Sequence, residues 1–334
     1  MRFSVDSWDP GYGLAVDIQE LADTDANVDV SVELSGSDWS PVAPSATTPL
    51  PRAILFVDGV RRIEAQAWID DTNAPNEAMR RAVPGLCASY AAGAVCCCET
   101  GSHLLTSEVR RGLFTDASSG DHIQTRTSTY VLHRTVVSAI EAPTASLTNA
   151  LQRALTDLEI TVAVAARNEM PSHASEDDLL IVDGPLRGRA HLPRAMGYVK
   201  THNAQYLPGN LNATVAQLAT GDRTPVFAIG AGWDRYSWYL RLPCLPAGPW
   251  AGIVRLEAPI DLAIGQVVTL ANTTQILLGR FASVEYKDGR APQNLVPIGG
   301  LENELRHRLG SAPLMYRELR AAAITPPGQP RQAS

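Results

Sequence analysis

Two segments of the sequence share one design, an apolar run that ends in Asp-Gly. They read ILFVDG at Ile54–Gly59 and LLIVDG at Leu179–Gly184. Runs this apolar are typical of central strands covered on both faces of a sheet. An aspartate at the end of a buried strand loses its hydration, and two aspartates on neighbouring strands repel each other. A divalent cation relieves both problems, so the pair predicts a metal site at Asp58 and Asp183. An ordinary Asp-Gly turn is the alternative for each segment.

The helix that separates the two segments in the chain carries further acidic side chains. Apolar residues at three- and four-residue spacing predict this helix over Leu147–Arg167. Glu159 lies at the edge of the apolar stripe, from which it can reach towards the two aspartates, whereas Asp157 lies on the opposite edge. Glu169, near the end of the helix, is a further candidate. The alternative for Glu159 is a solvated helix acid.

The elements that must position these acids are mostly strands. Residues 1–50 are polar and acidic and are predicted as an N-terminal extension followed by a proline-rich linker. The run that contains Asp58 is predicted as a buried strand, and the alternating segment Arg61–Asp70 as its hairpin partner. A third strand is expected over Leu86–Glu99, and further strand segments over Thr127–Ile140.

The second half of the chain continues with strands and helices. We expect a strand over Met196–Asn203, late strands over Phe227–Ile229, Trp238–Leu242 and Ala251–Leu256, a helix around Thr273–Phe281, a loop over Val296–Gly300 and a helix that opens at Leu301–Leu309. The predicted elements follow the order of the ribonuclease H-like nuclease fold: the strand with Asp58, its hairpin strand, a third strand, a helix and the strand with Asp183. The sequence therefore predicts an α/β protein, an RNase H-like mixed sheet flanked by helices, with an N-terminal extension and insertions.

Five segments in this order resemble the NurA nuclease family. They are the VDG at Asp58, LLIVDGPL at Leu179–Leu186, GYVKTH at Gly197–His202, YLRL at Tyr239–Leu242 and the late VPIGGLENELRHRL. The resemblance runs from about residue 50 to residue 315 and implies a nuclease domain over 51–315, with a C-terminal tail over 316–334 whose end is disordered. It implies Mn²⁺-dependent (or Mg²⁺-dependent) exonuclease and single-strand endonuclease action on DNA, in DNA-end processing. It further implies a homodimer that works with a HerA-type hexameric ATPase.

The resemblance also implies site residues. Asp58 matches the acid of the first strand, Asp183 the acid of the fourth, and Glu159 is the best match for the helix acid. The family places a His or an acid several residues after a proline near its C-terminal helix, and counting from Pro297 gives Glu304. The remaining matches are His307, one turn after Glu304, and Lys200, placed to hold the scissile phosphate or screen the carboxylates. The alternative for the C-terminal helix is a solvated surface.

The number and position of the cationic residues bear on whether this acidic chain can bind nucleic acid. The net charge is −7, which argues against a broad basic surface that coats nucleic acid. Lysine occurs only twice, so 26 of the 28 cationic residues are arginine. Four of these follow the two aspartates closely and predict a local positive ring that binds DNA: Arg61, Arg62, Arg187 and Arg189. Scattered arginine in an arginine-rich chain is the alternative.

Other patterns exclude whole classes of protein. No apolar stretch approaches the ~20 residues of a membrane span, and the N-terminus has no signal-like apolar segment, so a cytoplasmic protein is expected. Cys96, Cys97 and Cys98 are consecutive, and successive side chains on a strand face opposite ways. This triplet is therefore predicted as apolar strand residues in a reducing compartment rather than a metal cage.

No phosphate-binding GxxxxGK[ST] loop is present, so any translocation must come from a partner. A catalytically silent adaptor that docks on a hexameric motor is the alternative function. The aromatic segment Trp233–Trp250 is a candidate interface.

Overall fold

The computed structural model describes residues 8–9, 22–23, 26–71, 82–136, 142–170, 177–202, 204–230, 232–245 and 247–324. Its strands are β1 (Ala22–Asp23), β2 (Asn27–Asp29), β3 (Ala53–Ile69), β4 (Val83–Cys98), β5 (Gly101–Thr115), β6 (Ile123–Gln124), β7 (Thr129–Arg134), β8 (Asp178–Asp183), β9 (Ala195–Val199), β10 (Ala204–Gln205), β11 (Phe227–Gly230), β12 (Asp234–Arg241) and β13 (Ile253–Pro259). Its α-helices are α1 (Pro143–Asn168), α2 (Gly209–Gln217), α3 (Ile264–Leu277), α4 (Val296–Arg308) and α5 (Ala312–Ile324). Among these described residues, none of the helices is long and apolar enough to cross a membrane.

The strands form one large mixed sheet, which confirms the predicted α/β class. Its order is β2-β11-β12-β13-β9-β8-β3-β4-β5-β7-β6, and β1 pairs separately with β10. β3 and β8 are parallel, as are β8 and β9, whereas β9, β13, β12, β11 and β2 pair antiparallel in turn. The run β5-β4-β3-β8-β9 places the two Asp-Gly strands next to each other in the centre, as the predicted RNase H-like order requires.

The chain divides into two compact units. The first comprises residues 1–57, 95–105 and 166–301, and the second comprises 58–94, 106–165 and 302–334. The first has an apolar cluster of Trp39, Leu207, Leu211, Val215, Leu218, Phe227, Ile229, Tyr239 and Ile253. The second has a cluster of Cys87, Leu113, Tyr130 and Leu319. The predicted domain limits at residues 50 and 315 stay a prediction, although residues 316–324 of the predicted tail are helical and residues 325–334 lie outside the described ones.

The two Asp-Gly strands are buried because both faces of their sheet are covered. Leu55, Phe56, Leu180 and Ile181 have no exposed surface. Burying side chains of this size contributes about 1.5–3 kcal/mol each. An aspartate that directly follows such an apolar run is therefore held at a fixed position by the core beneath it.

The predicted hairpin at Asp58 is wrong. β3 runs through Asp58 without a turn and continues to Ile69, so its partner is β4, the segment predicted as the third strand. Gly59 is extended rather than left-handed, and its missing Cβ makes room for helix α1. A Cβ there would lie 2.7 Å from Leu155 Cδ1. The alternation of Arg61–Asp70 marks the outer half of one long strand.

The predicted loop at Val296–Gly300 is also wrong, because α4 begins at Val296. Pro297 occupies the first turn, where its missing N–H is not needed. Val296 N–H donates instead to Phe281 O at 2.8 Å, which anchors the start of the helix. The helix predicted around Thr273–Phe281 exists as α3 but begins earlier, at Ile264.

Several other expectations concern single segments. The three late strands are found as β11, β12 and β13, and the strand expected at residues 196–203 is β9, shorter than expected, with Asn203 outside the described residues. The expected strand over 127–140 is observed as β7, and residues 137–140 lie outside the described part. Trp238 and Tyr239 of the candidate interface segment are fully buried, so they belong to the core.

Candidate metal centre

The sheet brings Asp58 and Asp183 together by its register. The parallel pairing of β3 and β8 runs from Ala53 opposite Asp178 to Val57 opposite Val182. Asp58 and Asp183 are the next residues on the two strands. Backbone hydrogen bonds therefore place the two carboxylates side by side, at the position where each apolar run ends.

A third carboxylate comes from helix α4. One carboxylate oxygen each from Asp58, Asp183 and Glu302 lie within 4.8 Å of one another. Asp58 and Glu302 are both buried. We call these three residues the carboxylate cluster.

Lys200 fixes the orientation of Asp183 in this cluster. Its Nζ donates to Asp183 Oδ2 at 2.7 Å and to Asn294 Oδ1 at 3.0 Å, and its side chain is 12% exposed. Asn294 Nδ2 donates in turn to Asp288 Oδ2 at 2.6 Å. The other oxygen of Asp183, Oδ1, is buried and has no hydrogen-bond partner within the described residues. Lys200 therefore occupies one face of the carboxylate and leaves the second oxygen available.

Tyr198 lies next to Asp183 on the neighbouring strand. It pairs with Asp183 in the register of β8 and β9 and donates its hydroxyl to Gln293 O at 2.6 Å. Burial, and then the nearby Asp183 charge, raise the pKa of Tyr198 well above its usual value. Tyr198 therefore stays neutral beside the Asp183 carboxylate. Among Asp58, Asp183, Glu302 and Lys200 the formal charge is −2, which suits a divalent cation.

Helix α1 brings Glu159 to the same strand, as the apolar stripe predicted. Glu159 is buried, and its Oε1 lies 2.6 Å from the position that a Cβ on Gly59 would occupy. Asp157 and Glu169, the other two acids considered on this helix, are exposed. Glu159 thus lies against the residue that follows Asp58, but it is not one of the three carboxylates within 4.8 Å.

The structure does not bring Glu304 or His307 to the carboxylate cluster. Glu304 is exposed and accepts from Arg308 Nε at 2.8 Å, and His307 is exposed on the same helix. The physical reason is the start of α4, which makes Glu302 the acid on the buried side. Two residues correspond to roughly 200° of rotation, so Glu304 points away when Glu302 points inward.

Sequence reasoning missed Glu302, although a signal for it exists. Ile298, Leu301 and Leu305 form a buried stripe along α4. Glu302 lies four residues after Ile298 and three before Leu305, so it belongs to that stripe. A buried position occupied by an acid is the informative exception to the apolar pattern.

The four arginines near the aspartates differ in their environments. Arg62 forms an ion pair with Glu64 at 2.8 Å and donates to Gly310 O, and Arg189 is buried and donates to Pro185 O at 3.0 Å. These two guanidinium groups make contacts within the fold, and their predicted role in binding DNA stays a prediction. Arg61 and Arg187 are exposed.

An arginine- and aromatic-lined pocket, also missed from the sequence, follows the strand of Asp183. Arg187 lines it on one side, four residues after Asp183. Its other walls include Tyr206, Trp233, Arg235, Arg255 and Glu257. The Arg235 guanidinium lies 4.6 Å from the Trp233 ring centre, and that of Arg255 lies 4.8 Å from the Tyr206 ring centre.

The charges of this pocket are partly balanced. Buried Glu257 accepts from Arg235 at 2.9 Å, from Arg255 at 2.5 Å and from the Leu186 backbone N–H at 2.9 Å. Burial lowers the pKa of His202, which also lines the pocket, to about 4, so this imidazole is neutral at physiological pH. The two arginines and one glutamate leave a net positive charge between two aromatic rings.

Comparisons with known proteins give structural similarity only. No protein-family model and no curated protein matches the chain. Among solved structures, the chain is similar to the NurA nuclease from Sulfolobus solfataricus, with a TM-score of 0.44 and 10% identity over 85% of this chain and 88% of that one. It is also similar to the catalytic domain of human Endonuclease V, with a TM-score of 0.35 and 15% identity over 78% of this chain and 85% of that one.

Proposed function

We propose that the chain is a divalent-metal-dependent nuclease that cleaves DNA, with the carboxylate cluster as its metal centre. The observation that carries the proposal is the convergence of Asp58, Asp183 and Glu302 within 4.8 Å. Three carboxylates suit a hard cation such as Mn²⁺ or Mg²⁺. The buried Oδ1 of Asp183 is in addition an acceptor with no partner among the described residues.

Each side chain has a definite task in this proposal. Asp58, Asp183 and Glu302 hold the cation, and Lys200 positions Asp183 and offers positive charge to a phosphate oxygen. When bound, such an ion supplies an activated water and stabilises charge on the phosphodiester. Glu159 lies against Gly59, the residue after Asp58, and helps to hold Asp58 in position. Relative to the expectation from the sequence, the proposed ligand on α4 moves from Glu304 to Glu302.

The arginine- and aromatic-lined pocket that follows the strand of Asp183 favours a nucleic-acid substrate. A base can stack on Tyr206 or Trp233, and exposed Arg187 can meet a backbone phosphate. Single strands offer unstacked bases for this contact, so single-stranded DNA or frayed ends are the preferred substrates. Replacing Trp233 by Ala should weaken binding of a single-stranded oligonucleotide by about 10-fold, since a base–aromatic stack contributes about 1–3 kcal/mol.

Helix α4 provides a matched pair of variants that tests the metal centre. Glu302→Gln and Glu304→Gln make the same chemical change two residues apart, the first in the cluster and the second at the surface. Cleavage of an end-labelled oligonucleotide is followed against Mn²⁺ concentration, with EDTA as the blank. We expect Glu302→Gln to need far more Mn²⁺ or to be inactive, and Glu304→Gln and His307→Ala to keep the wild-type midpoint.

Two results would count against this assignment. Loss of activity in Glu304→Gln with full activity in Glu302→Gln would return the ligand to Glu304. Binding of DNA without cleavage at any Mn²⁺ or Mg²⁺ concentration would favour the alternative, a catalytically silent adaptor.

We further propose that the nuclease is a homodimer that acts with a HerA-type hexameric ATPase in DNA-end processing. The support is the sequence resemblance and the lack of a phosphate-binding loop in the sequence, which leaves translocation to a partner. Light scattering at micromolar concentration tests the dimer, and co-elution with a purified hexamer tests the partner. A monomer throughout would contradict the first part.

A further inference from the structure

The end of the β4–β5 hairpin gathers a second set of metal-binding atoms, with chemistry different from that of the carboxylate cluster. Cys96 Sγ, Cys98 Sγ and a ring nitrogen of His103 lie within 4.8 Å of one another. Cys96 is buried and Cys98 is half-buried. All three residues belong to one short segment of the first unit, residues 95–105.

The hairpin register explains why these three residues share a face. β4 ends at Cys98 and β5 begins at Gly101, so two residues, Glu99 and Thr100, form the turn. A two-residue connection places position 98 opposite 101 and position 96 opposite 103. Cys96 and Cys98, two residues apart on one strand, point to the same face, and His103 joins them from the opposite strand.

A contact on the other face of the hairpin supports this register. Cys97 Sγ donates to Ser102 Oγ at 3.5 Å, as expected for opposed positions 97 and 102. Cys97 therefore points away from the sulfur pair. The prediction that the cysteine triplet makes a poor cage rests on the opposite faces of adjacent residues, whereas Cys96 and Cys98 are alternate residues and share a face with His103.

The donor atoms define the kind of ion. Two thiolates and one imidazole form a soft set that suits Zn²⁺, whereas Mg²⁺ and Mn²⁺ prefer oxygen. Cys98 is half-buried and His103 is not buried. A fourth ligand, such as water, can therefore reach the three donor atoms from solvent.

We propose that Cys96, Cys98 and His103 bind one Zn²⁺ ion at the end of this hairpin. Zn²⁺ takes four ligands in a tetrahedron, and three protein ligands leave one position for water or an external ligand. Bound there, the ion ties β4 to β5 across their turn. The proposal does not depend on nuclease activity, because none of its ligands belongs to the carboxylate cluster.

Cobalt spectroscopy distinguishes this site from the carboxylate cluster. The full chain is reduced, treated with a chelator and titrated with Co²⁺, and thiolate-to-Co²⁺ charge-transfer absorption is recorded. Carboxylates give no such band, so an ion at Asp58 and Asp183 does not contribute. We expect one equivalent of Co²⁺ to produce the band and Zn²⁺ to displace it.

Variants on the two faces of the hairpin complete the test. Cys96→Ser and Cys98→Ser should lose the band, and His103→Gln should weaken binding at least about 10-fold, while Cys97→Ser should match wild type. Circular dichroism monitors folding, and because Cys98 and His103 are not fully buried, their variants decide the outcome if Cys96→Ser misfolds. No band in the wild type, a band that survives in the Cys96/Cys98 double variant, or equal loss in Cys97→Ser would overturn the proposal.

Discussion

The two Asp-Gly segments share a sequence pattern but not a backbone. At Asp58-Gly59 the strand continues for ten further residues, and the glycine is extended beneath helix α1. At Asp183-Gly184 the strand ends, and Gly184 has φ +97° with nothing within 4 Å of a Cβ position. The first glycine is needed for close packing, and the second for a left-handed turn.

This difference shows that the convergence of the aspartates does not come from the Asp-Gly dipeptide. It comes from the preceding apolar runs, whose register sets Val57 opposite Val182. The apolar runs were the correct basis for pairing the two aspartates, whereas the Asp-Gly turn, the alternative for each segment, exists only at Asp183. Substitutions at the paired positions test how far the two segments are equivalent.

The largest effect is expected from the aspartates themselves. Asp58→Asn and Asp183→Asn should each lower Mn²⁺-dependent DNA cleavage by more than about 100-fold, because loss of a ligand should cost more than loss of a group that only supports one. Initial rates on a labelled oligonucleotide measure this. Near-normal activity in either purified variant would remove that residue from the metal centre.

Asp58→Asn and Asp183→Asn should also differ in their free energy of unfolding. Asp183→Asn leaves the mostly buried Lys200 ammonium without its carboxylate, so the free energy of unfolding should fall by about 1–3 kcal/mol. Asp58→Asn reduces repulsion within the carboxylate cluster and should leave stability unchanged or higher. Urea denaturation of both variants checks this, and equal losses would show that Lys200 does not distinguish the two aspartates.

The next effect concerns Lys200, the cation that is hydrogen-bonded to Asp183. Lys200→Met should lower activity by about 10–100-fold, since it removes the group that orients Asp183. Lys287→Met is the matched control, because Lys287 is the only other lysine and is exposed near the Tyr286 ring. A raised Mn²⁺ midpoint in Lys200→Met would indicate positioning of the ligand. An unchanged midpoint with slower cleavage would indicate a phosphate contact instead.

The sequence was sufficient for features that depend on local periodicity. The apolar runs at Asp58 and Asp183, the stripe of α1 with Glu159 and the late strands are each defined by a few consecutive residues. Glu302 was missed although the buried stripe of its own helix carries the signal. The arginine- and aromatic-lined pocket and the approach of His103 to Cys96 and Cys98 were missed because each depends on where another strand returns. Glu304 came from counting residues after Pro297, which does not show which acid of α4 is buried, and an assumed turn at Gly59 hid the length of β3.

Gly59→Ala should test close packing at the first segment. The new Cβ would meet Leu155 Cδ1 at 2.7 Å and Glu159 Oε1 at 2.6 Å. Overpacking of this kind costs about 1–3 kcal/mol, and displacement of Glu159 should lower nuclease activity as well. Urea denaturation and cleavage rates measure the two effects. Wild-type behaviour in both would mean that α1 moves freely away from β3.

The smallest effect is expected at Gly184. No atom blocks a Cβ there, so Gly184→Ala meets only backbone strain, which costs about 1 kcal/mol. Asparagine tolerates positive φ better than alanine, so Gly184→Asn should be the milder of the two substitutions. At position 59 the order should invert, because asparagine is larger and the restriction there is space. Urea midpoints of the four variants give the comparison directly: the same order of Ala and Asn at both positions would show that one physical cause, rather than two, selects glycine after each aspartate.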